Sequence, residues 1–252
     1  SLGRTNMEKV AIIIPSRLKA LRLPNKPLEL IKGKEMILHV HDLALKAEVG
    51  EVVVATPDKK IFDLVRNHGG KSFMTSNIHQ TGTDRIYEVF EKMFKKEIDI
   101  IVNLQGDMPN LDYKCISLLV KYMQKKPCEI ATLASKLDND GETNNENICK
   151  VETDKEILIN QFDKALDFYR LKAKNKSQFI YHHIGIYAFT NDALMRYVSL
   201  NRSKQEIERN LEQLRALENK MEIHVGNINS YPLSVDTKED LIKIKKIMEN
   251  DS

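Results

Sequence analysis

Arg17, Arg22 and Lys26 crowd into the stretch Ile14 to Leu28, together with Pro15, Pro24 and Pro27. Cations set so close to prolines make a stiff loop, not the solvated face of a helix. Such a loop suits the capture of a polyphosphate, because arginine grips two phosphate oxygens through its planar fork and lysine adds a compact charge. Two aspartates extend the pattern: Asp107 closes Asn103-Leu104-Gln105-Gly106-Asp107, and Asp236 lies in Val235-Asp236-Thr237. Mg²⁺ usually takes one or two carboxylates plus substrate phosphates, so the loop and the aspartates outline a nucleoside-triphosphate site. Each aspartate also has a plainer reading. Gly106-Asp107 fits a surface turn, and Asp236 or Thr237 fits the cap of a final helix.

Other positions are less pointed. Thr81-Gly82-Thr83-Asp84-Arg85 reads as a threonine-capped helix start, although a glycine there also bares N–H groups to an anion or a base edge. His182 and His183 are neighbours on a strand and point to opposite faces, which argues against a shared zinc ion. Arg170, Glu212 and Gln213 read as solvated polar residues. Neither G-x-x-x-x-G-K-[ST] nor G-x-G-x-x-G occurs, so Walker-type ATPase and dinucleotide-binding readings lose their main support.

The elements that must position these residues alternate. Apolar runs at Lys9–Pro15, Glu51–Ala55, Asp99–Leu104 and Glu129–Ala134 read as buried strands. Between them, residues 36–48, 59–68, 84–96 and 113–125 carry apolar residues at helical spacing, with Gly50 and Gly69-Gly70 closing the first two. Such alternation predicts an α/β fold with a mainly parallel sheet, whose ligands bind beyond the carboxyl ends of the strands. The cationic loop and Asp107 both leave strands at that end. The polar stretch 137–147 is the expected seam. Beyond it, strands are expected at 150–153, 183–189 and 222–228, and helices at 191–199, 205–220 and 238–249.

The 252 residues carry Lys+Arg 39 against Asp+Glu 36, a net charge of +3. Near balance weighs against a whole-surface nucleic-acid or membrane binder. The chain is long enough for one sizeable domain, here read as a nucleotide half (7–136) and a second half (148–252), and residues 1–6 read as a remnant ahead of a natural start at Met7. Cys115, Cys128 and Cys149 lack paired spacing, as expected of reduced thiols in a cytoplasmic protein, and no apolar run suggests a membrane span.

In order, these pieces resemble the sugar-acid cytidylyltransferases. The family opens with I-P-A-R-x-x-S-x-R-L-P-x-K-P-L after a strand, matched here by Ile14-Pro15-Ser16-Arg17 through Arg22-Leu23-Pro24-Asn25-Lys26-Pro27-Leu28. Similarity continues through His79–Arg85, the NLQGD segment, Ala131-Thr132-Leu133-Ala134, Asn145–Val151, His183–Tyr187, Leu211–Arg215 and Val235-Asp236-Thr237, spanning essentially Lys9 to Leu241. The resemblance implies a Rossmann-like three-layer α/β/α nucleotidyltransferase fold of the nucleotide-diphospho-sugar transferase type, with a mainly parallel mixed sheet, in a cytoplasmic homodimer. It implies transfer of CMP from CTP to the anomeric hydroxyl of the 2-keto sugar acid 3-deoxy-manno-octulosonate (Kdo), with release of pyrophosphate, for lipopolysaccharide precursor synthesis. No nucleic acid or membrane partner is implied.

By the same resemblance, Arg17, Arg22, Lys26 and Asp107 are catalytic, and Asp107 and Asp236 hold Mg²⁺. Thr81, Gly82, Arg85, Gln105, Ala131 and Thr132 line the nucleotide; Arg170, His183, Tyr187, Glu212 and Gln213 face the sugar acid. The chain departs from the family where Ala20 replaces a loop serine and where Met108 replaces an acid. It departs again where Tyr169 replaces the serine before Arg170, a change expected to reshape that contact, and where Tyr231-Pro232-Leu233-Ser234 replaces a glycine-containing approach to Asp236. Two other readings stay open at this point: a cytidylyltransferase for another sugar acid, sialic-acid-like, and a non-catalytic CTP-binding descendant.

Overall fold

The apolar run Val10–Pro15 forms strand β1, and it is buried over almost its whole length, as a parallel strand covered on both faces must be. In this computed structural model, residues 8–138, 140–171 and 179–250 are described, with the side chains of 140 and 141 excepted. The expected remnant at 1–6 lies outside them.

The chain divides into two compact units, residues 1–120 with 231–252, and residues 121–230. In the first, β1 is followed by a hairpin of β2 (Leu30–Ile31) and β3 (Lys34–Glu35), then α1 (Met36–Lys46), β4 (Glu51–Thr56), α2 (Lys59–Asn67) and β5 (Lys71–Met74). Next come α3 (Gly82–Lys92), β6 (Ile100–Leu104) and α4 (Tyr113–Lys125), whose last residues fall in the second unit. The strands run β5-β4-β1-β6, all parallel, with Ile12 opposite Val52 on one side and Val102 on the other. Helix α3 starts two residues before the expected Asp84 and stops at Lys92, because Lys95 and Lys96 turn to positive φ.

The second unit contains β7 (Ile130–Lys136), α5 (Asp140–Thr143), β8 (Lys150–Thr153), β9 (Phe162–Tyr169), β10 (Ile180–Thr190), α6 (Asn191–Ser199), α7 (Lys204–Arg209), α8 (Leu214–Glu218) and β11 (Ile223–Ile228). Its strand order is β10-β7-β11-β9-β8, mixed in direction, and β8 pairs in turn with the start of β10. The polar stretch expected to be a seam therefore falls inside this unit, since β7 pairs with strands that follow that stretch. The final helix α9 (Lys238–Asn250) belongs to the first unit, where Leu241 and Ile244 pack with Leu23, Ile31, Met36 and Val235.

Among the described residues no helix is long and apolar enough to cross a membrane. Strands β5 and β9 were not expected from the sequence. The first is short, and in Phe162–Tyr169 the charges of Asp163, Lys164 and Asp167 mask the alternation. The single helix expected over 205–220 is also two helices. Asn210 takes the left-handed conformation (φ 53°), which ends α7 and turns the chain before α8.

One polar cluster ties α1 to the end of α2. Asp42 accepts from the Lys34 ammonium at 2.7 Å and contacts His68 Nε2 at 2.9 Å and His41 Nδ1 at 3.1 Å. Burial would raise the Asp42 carboxyl, but the bonds from Lys34, His68 and His41 override it and hold the group down to about 2. A carboxyl depressed on folding stabilises above its unfolded value near ~4, and the stabilisation is lost as pH falls toward the folded value. Asp42→Asn is expected to lower Tm at neutral pH by roughly 2–4 °C, from about 1 kcal/mol after discounting for solvent screening. The gap should close near pH 2; thermal melts at both pH values check this, and a gap unchanged at low pH rejects it.

Candidate functional site

In the first unit, backbone bonds fold the cationic loop back on itself. Ser16 N–H donates to Ala55 O, Leu18 N–H to the Asp58 carboxylate at 2.8 Å, and Asn25 N–H to Leu18 O at 2.9 Å. Asn25 sits at φ 62°, and this left-handed turn delivers Lys26 into the short 3-10 turn Lys26–Leu28. Leu23 is buried among residues of α1 and α9 and anchors the loop from beneath. Arg17 and Arg22 remain exposed, and neither forms an ion pair among the described residues.

The aspartates meet the loop at Lys26. Its ammonium lies 3.4 Å from Asp107 Oδ2 and 3.7 Å from Asp236 Oδ1. Backbone structure brings about this convergence: Val235 N–H donates to Asp107 O at 2.9 Å and Leu233 N–H to Asn110 Oδ1 at 2.9 Å, so no glycine is needed on the approach to Asp236. The capping alternatives also resolve. Thr237 Oγ1 accepts from Asp240 N–H, while the Asp240 carboxylate accepts from the N–H groups of Asp236 and Thr237. The Asp236 carboxylate is thereby left half exposed beside Lys26. Asp107 is mostly buried, and its Oδ1 finds no hydrogen-bond partner among the described residues. Burial raises its carboxyl above the ordinary value, Lys26 pulls it back, and Asp236 adds to the rise. A carboxylate oxygen buried without a partner, beside a second carboxylate, is the donor set a hard divalent cation takes.

The nucleotide-side expectations separate into two kinds. Gly82 opens α3 against the end of β1, where an added Cβ would lie 3.1 Å from Pro15. Thr81 caps that helix by accepting from Asp84 N–H, and Gln105 is exposed after β6. Arg85 is buried: its guanidinium donates to Thr75 Oγ1 and Ser76 O, and burial, then the neighbouring Arg17 charge, lower its pKa. It holds the segment before Thr81, as does Glu88, which accepts from Ser76 N–H and bonds His79 at 2.7 Å. Met108, where the family has an acid, is buried in the core.

In the second unit Ala131 and Thr132 are fully buried on β7. The Thr132 hydroxyl donates to Ile186 O at 2.6 Å, so its oxygen accepts the Nε2–H of His183 at 2.9 Å and leaves His183 Nδ1 as the acceptor. The Ile186 carbonyl belongs to a bulge: β10 shifts register against β7 between Ile184 and Tyr187. Residues four apart on a regular strand stand roughly 13 Å apart, yet the bulge brings the His183 and Tyr187 rings to 5.4 Å. Burial, reinforced by His182, lowers His183 to about 3, so its imidazole is neutral at pH 7. The Tyr187 hydroxyl is buried and has no hydrogen-bond partner among the described residues. His182 points the other way, toward Glu142 at 3.3 Å, as strand alternation requires.

Glu212 and Gln213 occupy the turn between α7 and α8, not the surface of one helix. Arg170 helps to make that turn by donating to the carbonyls of Arg209 at 2.8 Å and Asn210 at 3.2 Å. Arg215 secures the far side with bonds of 2.9 and 2.7 Å to the buried Glu206 carboxylate. Removing one partner of such a pair strands a buried charge, so Glu206→Gln is expected to cost about 3 kcal/mol. Chemical denaturation measures this; a loss under about 1 kcal/mol would show that the turn stands without the pair.

Two findings were not legible in the sequence. Cys149 lies at this site, its Sγ 3.6 Å from Gln213 Nε2, and burial pushes its thiol up to about 12. Nothing in its spacing gave a signal. Tyr169 lies on the other face from His183: Phe168 stacks edge-on against His183 at 5.1 Å, and Tyr169 is the next residue on the strand.

A family model described as Cytidylyltransferase matches residues 11–223. A 3-deoxy-manno-octulosonate cytidylyltransferase of Brucella canis is 42% identical over 234 residues, covering 92% of this chain and 93% of the relative. The Brucella anthropi protein of that name is also 42% identical, over 92% of this chain and 94% of its own length. Among solved structures, a CMP:2-keto-3-deoxy-manno-octonic acid synthetase complexed with CTP superposes with a TM-score of 0.86 at 35% identity, covering 97% of this chain and 100% of its own. A 4-diphosphocytidyl-2C-methyl-D-erythritol synthase from Anaerococcus prevotii shares the fold, with a TM-score of 0.65 at 11% identity, covering 96% and 99%. The α/β nucleotidyltransferase architecture and the ordered motifs thus agree, and the chain belongs to the cytidylyltransferase family.

Proposed function

We propose that this chain transfers CMP from CTP to the anomeric hydroxyl of Kdo and releases pyrophosphate, supplying an activated sugar for lipopolysaccharide precursor synthesis. The observation that carries the reading is the meeting of Asp107 and Asp236 at Lys26, on the loop that also carries exposed Arg17 and Arg22, in a chain 42% identical to relatives bearing that activity in their names. Arg17 and Arg22 bind the triphosphate and stabilise charge on the departing pyrophosphate, while Lys26 adds a fixed cation beside the carboxylates. Asp107 and Asp236 would hold Mg²⁺, which when bound neutralises phosphate charge and orients the reacting oxygens. The hydroxyl attacks the α-phosphorus in line, and positioning supplies most of what the protein contributes.

On the acceptor side, Arg170 faces the sugar carboxylate. The neutral His183 offers Nδ1, and Tyr187 and Gln213 offer donors to sugar hydroxyls. A cytoplasmic homodimer fits the free cysteines and the exposed apolar residues Leu158, Ile159 and Leu166. Pyrophosphate release with CTP and Mg²⁺, measured across several 2-keto sugar acids, tests the reading. Release with Kdo supports it. Release only with a sialic acid moves the acceptor. CTP binding by calorimetry without release for any acceptor would leave a binding protein and end the enzymatic reading.

A further inference from the structure

Among the described residues Lys150 is the one lysine in the set of largest fully buried side chains, with 1% of its surface exposed. No carboxylate forms an ion pair with it among the described residues. Its Nζ instead donates to the backbone carbonyl of Asn145 at 2.6 Å and to that of Arg170. An ammonium taken out of water needs such partners, and bonds to a charged donor are stronger than neutral ones. Burial lowers its pKa, while Cys149, Glu142 and Glu146 raise it.

The strand register shows where Lys150 works from. It lies opposite Tyr169 on β9 and His182 on β10. Cross-strand partners share a face, so these three lie on the side away from Phe168, His183 and Cys149. Lys150 therefore cannot reach a ligand held by His183 and Tyr187. What it reaches is main chain: Asn145 just before Cys149, and the carbonyl of Arg170 at the end of β9. The Arg170 guanidinium in turn bonds the carbonyls of Arg209 and Asn210, which precede Glu212 and Gln213. An apolar side chain of similar length would fill the space without holding either carbonyl.

We propose that Lys150 is a positioning residue for the sugar acid: from behind the sheet it fixes the Arg170 main chain and the Asn145–Cys149 segment, and so sets the aim of the Arg170 guanidinium. This rests on the reading of Arg170 as the cation that meets the acceptor carboxylate.

The test is steady-state kinetics on the full chain with CTP, Mg²⁺ and Kdo. Lys150→Met is expected to raise KM for Kdo by about 10- to 100-fold and to leave KM for CTP within twofold. In an Arg170→Ala background the same change should add less than twofold, because the group it positions is gone. Lys150→Gln, which keeps a donor, should fall between wild type and Lys150→Met, and it carries the comparison if the methionine variant does not fold. A general loss of structure would move both KM values together, so equal rises overturn the proposal. An unchanged KM for Kdo overturns it too, as does a full independent effect in the Arg170→Ala background. Wild-type protein with no turnover would instead count against the function, before any variant is compared.

Discussion

Replacing Asp107 by alanine is expected to lower kcat at least ~10³-fold with little loss of stability. Its carboxylate sits beside Lys26 and Asp236 with a buried oxygen that no group among the described residues satisfies. Burial and the neighbouring Asp236 disfavour its charged form, and Lys26 offsets this only in part. The folded chain therefore carries the charge at a disadvantage, a pattern of sites kept for function at the expense of stability. Asp107→Asn should likewise abolish turnover while melting, without added metal, at or above the wild-type temperature. Pyrophosphate release and a thermal melt on one preparation check both halves. Activity within about twofold of wild type would remove Asp107 from the metal site, and a large drop in Tm would make it a structural residue.

Arg22→Ala is expected to lower kcat/KM for CTP by about 10²–10³-fold, the range found when a group that stabilises developing charge is deleted. Arg17→Ala should act in the same direction. Both guanidinium groups are exposed, and the loop beneath them is held by Leu18, Asn25 and buried Leu23, so neither loss should shift Tm by more than about 1 °C. A Lys substitution should recover only part of the loss at either position, because a point charge cannot bind two oxygens in a fixed plane. Unchanged kinetics in Arg22→Ala would take that residue out of the triphosphate contact and leave Arg17 and Lys26 to carry it.

The Glu206–Arg215 pair and the Lys150 ammonium show a second theme. Both are buried charges, and both hold turns, not substrate. They lie around Arg170, Glu212 and Gln213, where the chain is least regular and where spacing alone gave these residues no role.

Local pattern determined a good deal by itself. The β-branched runs of β1, β4 and β6 and the helical periods between them fixed a parallel α/β unit, because burial on both strand faces demands apolar residues at every position. Three cations among prolines likewise marked an anion-binding loop, since residue type and stiffness are local properties. What tertiary structure decided was which polar residues are spent on the fold and which are left over. Arg85 and Thr132 stand in motifs, and the fold already uses them: Arg85 Nη1 donates to Thr75 and Ser76, and the Thr132 hydroxyl bonds His183 and Ile186. Asp236 looked like a cap until Thr237 and Asp240 took that task. The bulge in β10, the left-handed Asn210 and the reverse-face position of Lys150 depend on pairing between segments far apart in the chain. A hydrogen bond is satisfied or left open only in three dimensions, and the open ones make the site.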